Sequence, residues 1–211
     1  MDALSSRWGN AMRSLPAVIL WLVVLLISTE FLLAVYGKYH LMAGPAYERF
    51  VDRHGWLWLH LAGGGVAIAL GPAQFLARWW YRRPALHRRL GYVYFGGVLV
   101  ASAAAAGLIA TTPAPLSIRL GFASTALAWL TTAWWAMRSI HRGQVQRHRA
   151  WMIRSYAVTL APVVFRLMLP LAIASGVSPS AALISGLLWS SWLIPLGCVQ
   201  LFGTRLGARI R

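Results

Sequence analysis

Two histidines open apolar runs at matching positions. His87-Arg88 begins one run and His148-Arg149 begins another. Two imidazoles level with each other on neighbouring helices could ligate haem iron axially, or hold a copper or zinc ion. Arg88, Arg149 and Arg154 lie close by in the chain and could pair with haem propionates. A third histidine, His60, sits about one turn inside a separate apolar run. The competing reading is that each His-Arg pair only snorkels to a membrane interface. An ionisable group in an apolar run is costly, which makes it a functional flag, and both readings stay open. His40, His54 and His141 fall in polar loops and read as solvated surface.

Three more polar residues stand inside apolar runs. Gln74 and Arg166 could line a cavity, and Glu30 lies near the end of the first run. Arg166 is roughly 25 Å along a helix from His148 at 1.5 Å per residue, which brings it to the depth of Glu30. An uncompensated charge at the bilayer centre costs about 2.5–3.5 kcal/mol on insertion scales. The two residues therefore read either as a structural ion pair or as the charged lining of a cavity.

These residues sit in a chain of 211 residues that is 59% hydrophobic and 11% charged. A soluble domain carries roughly 25% charged residues, so this composition belongs to an integral membrane protein in contact with lipid bilayer. The net charge of +16 comes almost entirely from arginine; Lys38 is the only lysine. The basic residues cluster between apolar runs, as positive-inside topology requires, and nucleic acid is not implied. A single cysteine, Cys198, excludes a disulfide framework within one chain. No Walker loop, GxSxG elbow, zincin helix or paired carboxylates are present. The first apolar run has no small-residue cleavage site after it and reads as a retained anchor.

A spanning helix needs about 20 mostly apolar residues. Six runs meet that length, near Leu15–Gly37, Gly55–Arg78, Arg88–Thr112, Leu116–Arg138, Arg149–Ala174 and Ala181–Leu201. The expectation is an all-α, polytopic membrane helical bundle forming one integral membrane domain over 1–211, with its core at 55–175. With six crossings, Arg7, Arg13, both His/Arg loops and the Arg205–Arg211 tail share one side. That side is then the cytoplasm of a bacterial inner membrane, with both termini on it.

The second and third runs, and the fourth and fifth, share one plan: apolar run, Arg78 or Arg138, basic loop, His-Arg, apolar run. They read as two similar hairpins in tandem. Helical spacing predicts inward faces with small or polar residues on each: His60, Gly64, Ala67, Gly71, Gln74, Arg78; His87, Gly91, Tyr94, Val98, Ala101, Ala105; and His148, Met152, Ser155, Thr159, Pro162, Arg166. Such faces pack against other helices while bulky apolar faces look to lipid. They serve as packing seams alone or as the walls of a site. The twelve tryptophans read mainly as interface anchors.

The residues His60, Gly71-Pro72-Ala73-Gln74-Phe75, His87 to Tyr94, His148 to Arg154 and Arg166 carry a resemblance. Over His60 to about Pro170 the chain resembles a bacterial family of predicted membrane proteins, domain of unknown function 2306. Its layout is also similar to the six-helix transmembrane cytochromes b of the ascorbate-reducible kind. Those place histidine pairs on helices two and four and on helices three and five. His87 and His148 would match the third/fifth pair; the fourth run has no histidine to partner His60.

The expected function is a haem b- or metal-binding transmembrane redox protein, a component of a haem-dependent membrane oxidoreductase, with His87 and His148 as ligands. One alternative is a carrier or binding protein for an anionic or quinone-like small molecule, using Gln74 and Arg166, with a homodimer expected. Another is a non-catalytic subunit of a membrane complex.

Overall fold

The computed structural model describes residues 2–75 and 83–208, with side chains over 19–75 and 83–201. Among these residues every regular element is helical. The order is α1 (Asp2–Tyr39), α2 (Pro45–Glu48), a 3-10 turn at Val51–Arg53, α3 (His54–Gln74), α4 (Pro84–Thr111), α5 (Leu116–His141), α6 (Val145–Thr159), α7 (Ala161–Ala174) and α8 (Ala181–Ala208).

Four helical segments are long and apolar enough to cross a membrane: Ile19–Tyr39, Val51–Gln74, Pro84–Thr111 and Ala181–Leu201. The pair α6 and α7 makes a fifth if counted as one span bent by 41°. Helix α5 has 26 residues, about 39 Å at 1.5 Å per residue. It is long enough, but Ser117, Arg119, Ser124, Thr125, Thr131 and Thr132 dilute its apolarity. The bundle therefore shows four to five candidate spans where six runs were expected.

The fifth run is not one helix. Leu160 closes α6 and opens α7, and Pro162 sits in the first turn of α7. Proline has no N–H to give to the carbonyl four residues back and clashes with it, so a continuous helix breaks there. The bend takes Pro162 and Arg166 off the face that carries His148, Ser155 and Thr159. Pro162 is exposed.

Packing is closest within α3–α4 and within α5–α6, with α8 covering α5, α6 and α7. In the first pair the backbones nearly touch. A Cβ at Gly63 would stand 2.5 Å from Gly97 O, and one at Gly97 would stand 2.8 Å from Gly63 O. Ala67, Tyr94, Val98, Ala101, Trp129, Ala133, Tyr156 and Val158 form the central core cluster. Helix α1 lies outside it, with Leu20, Leu22, Leu26 and Leu33 all more than half exposed. Large exposed apolar side chains on helices of this length are what lipid would cover.

Candidate functional site

A buried polar cluster joins α4, α5 and α6. Ser155 Oγ and Thr159 Oγ1 lie 2.9 and 2.8 Å from Tyr94 Oη. Trp129 Nε1 donates to Thr159 Oγ1 at 2.8 Å, and Thr159 donates to Ser155 O at 2.8 Å. One assignment satisfies every group. Ser155 donates to Tyr94, Tyr94 donates to Thr159, and Thr159 spends its own hydrogen on the Ser155 carbonyl. All four residues are buried. A network in which each polar atom is paired fixes how α4 faces α6.

His87 is seven residues before Tyr94, and His148 is seven before Ser155. Seven residues are close to two helical turns, about 10 Å, so the histidines lie on the same faces nearer the helix starts. Both imidazoles are half-buried. His148 Nδ1 is 2.9 Å from Ala136 O on α5. A carbonyl only accepts, so Nδ1 carries the hydrogen, which leaves Nε2 as the ring atom that a ligand would meet.

Gln74 ends α3 beside this seam. Its side chain is buried, and a Cβ at Gly91, one turn above His87, would lie 3.8 Å from Gln74 Oε1. Gln74 Nε2 is buried with no hydrogen-bond partner among the described residues. Three predicted residues, Gln74, His87 and His148, thus lie toward neighbouring ends of α3, α4 and α6.

The other candidates lie elsewhere. His60 Nδ1 donates to Ala101 O at 2.9 Å. Ala101 is 14 residues from His87, about 21 Å along α4, so His60 is remote from the pair. Arg88 and Arg149 are exposed next to their histidines. Arg154 turns toward α8, where Nη2 donates to Gln200 Oε1 at 2.7 Å, while Nη1 donates to Ala150 O. The expected Glu30–Arg166 ion pair does not form. The Arg166 guanidinium lies 5.0 Å from the centre of the Phe31 ring, and Glu30 is exposed. Arg78 lies outside the described residues.

Sequence reasoning missed Trp129 and Tyr156. Trp129 was one of many tryptophans assigned to interfaces, yet it is buried and donates to Thr159. Tyr156 lies on Gly71, where any Cβ would overlap its ring, and its neighbours are Trp21 and Phe75. Only the glycine in GPAQF hinted that a bulky group must rest there.

Long apolar helices with small and hydroxyl-bearing residues turned inward define a multi-pass helical membrane protein. The chain belongs to the DUF2306 family of predicted membrane proteins, whose model matches residues 57–202. That match holds most of α3, all of α4 to α7 and most of α8, so the polar cluster and both histidines lie within the matched region. No curated protein and no solved structure matches the chain.

Proposed function

We propose that the protein is a transmembrane redox protein that binds haem b between His87 and His148. What supports this is that each histidine stands seven residues before a member of the Tyr94–Ser155 contact, on the same helix face, with the His148 tautomer set by Ala136 O. A ligand histidine characteristically donates its other N–H to a carbonyl, which orients the ring and raises the basicity of the ligating nitrogen. Zinc or copper held by protein alone asks for a third ligand, and among the described residues no three His, Cys, Asp or Glu come together. A porphyrin brings four nitrogens and asks the protein for two.

Haem bound there would supply one-electron transfer. The chain's own residues do the rest. The Tyr94–Ser155–Thr159–Trp129 cluster holds α4 against α6 and so keeps the two rings level. Gly91 and Met152 occupy the turns between the cluster and the rings, and Gly91 leaves room that a side chain would take. Arg88 and Arg149, exposed beside the rings, are the cations nearest in sequence for acidic groups at the rim. Both termini and the basic loops face the cytoplasm of a bacterial inner membrane in this reading.

The test is a visible spectrum of protein purified after haem-supplemented expression, oxidised and then reduced with dithionite. A Soret band lost in both His87→Ala and His148→Ala is expected. A folded, colourless wild-type protein would remove the reading.

A second reading rests on the unpartnered Gln74 Nε2. A buried amide hydrogen without an acceptor costs about 1–3 kcal/mol, and a bound carbonyl, as on a quinone, would satisfy it. Thermal stabilisation by a short-chain quinone that Gln74→Leu abolishes would favour this carrier or binding role.

A further inference from the structure

At the loop end of α5 and α6, against α8, lies an open groove of about 620 Å³. Arg138, Arg142, Arg147 and Arg154 line it, with Trp135 and Trp151 between them, and no lining residue is acidic. The indoles of Trp135 and Trp151 stack at 6.3 Å and 25°. The Arg138 guanidinium lies 5.8 Å from the Trp135 ring centre, and that of Arg154 lies 5.1 Å from the Trp151 ring centre. The result is a ladder of cation, indole, indole, cation. Stacking holds the guanidinium planes and leaves their N–H edges available. Arg154 is further oriented by Gln200 and by the Ala150 carbonyl, both uncharged. Two of its five N–H groups remain open, and its charge meets no carboxylate among these partners.

We propose that this groove binds the phosphodiester headgroup of an anionic phospholipid. Fixed guanidiniums match phosphate oxygens in pairs. Basic pockets between spanning helices on the positively charged side suit such headgroups. The tryptophans sit where a headgroup level would be, at the loop end of the bundle. Apolar surface continues inward from the groove. Leu196 and Leu193 lie one and two turns deeper on the Gln200 face of α8, and Leu193 is 47% exposed. A free phosphate shares the headgroup chemistry but has no use for that track. The site is separate from the histidine seam and does not depend on haem.

The experiment is native mass spectrometry and thermal stability of the full chain in a neutral detergent. Phosphatidylglycerol, phosphatidylcholine and inorganic phosphate are added separately. Retained adducts and a raised melting temperature are expected with phosphatidylglycerol alone. The Arg138→Gln/Arg154→Gln variant should bind it roughly 30-fold more weakly, at about fivefold per arginine. Arg49→Gln/Arg89→Gln, which removes the same charge outside the groove, should bind as wild type. If the first variant does not purify as a monodisperse protein, Arg142→Gln/Arg147→Gln reads the same loss from exposed positions. Equal binding by groove and control variants would overturn the site. Stabilisation by inorganic phosphate alone would overturn the lipid as its source.

Discussion

The two hairpins look alike in sequence but are held together differently. In α3–α4, Gly63 and Gly97 bring the backbones into contact, and Gly107 receives the face of Trp56. In α5–α6, hydroxyls and an indole carry the contact, through Trp129, Ser155 and Thr159. Each hairpin nevertheless ties one histidine to the carbonyl of its partner helix, His60 to Ala101 and His148 to Ala136. The difference lies in what stands beside each ring. His148 shares with His87 the faces that meet at Tyr94 and Ser155, whereas the carbonyl that His60 meets lies about 21 Å along α4 from His87. The glycine hairpin is a packing device. The hydroxyl hairpin, joined to α4 through Tyr94, sets its contacts by direction as well as by closeness.

Substitutions can break this contrast. The largest effect is expected from Gly63→Ala, whose new methyl meets the Gly97 carbonyl and the Ala101 backbone. Overpacking of this kind costs about 1–3 kcal/mol, read as a lower melting temperature in detergent. Gly64→Ala has open space at its Cβ and should change little. Similar losses in both would deny that the backbones touch at Gly63. Next is Thr159→Val, which keeps the shape but removes a hydroxyl used by Tyr94, Trp129 and Ser155. Leaving the Tyr94 and Trp129 donors without their acceptor should cost about 2 kcal/mol. Tyr94→Phe, with Ser155 free to turn to a carbonyl of the preceding turn and Thr159 keeping its bond to Ser155 O, should cost about 1 kcal/mol. The smallest change is expected from Ser102→Ala on α4. Its buried hydroxyl has no partner among the described residues, so removal should be neutral or slightly stabilising by thermal shift.

Much of this was legible in residue spacing. The faces carrying Ala67, Gly71 and Gln74, then Tyr94, Val98 and Ala101, then Ser155 and Thr159, are buried as their periodicity predicts. Helical geometry fixes which residues share a side, so small and polar stripes in greasy helices announce themselves. What spacing could not fix was the partner. Gly63 rather than Gly64 makes the close contact, because a shift of one residue turns the face by 100°. The reading through Pro162 to Arg166 failed where proline broke the helix. Arg166 then met the neighbouring Phe31 rather than Glu30 itself. Arg154 looked like part of the histidine centre from sequence, yet Gln200, distant in the chain, draws it to α8. Trp129 was hidden by the number of tryptophans around it. Apart from the break at Pro162, each miss involves a contact between helices, which no pattern within one helix contains.

The most direct measurement compares His60→Ala with His148→Ala in haem content per protein, purified under identical haem-replete conditions. Both remove an imidazole hydrogen-bonded to a neighbouring helix, so general damage to packing should be similar. The account predicts that His60→Ala keeps wild-type haem and that His148→Ala loses it. Equal haem in the two variants, or more in His148→Ala, would contradict it.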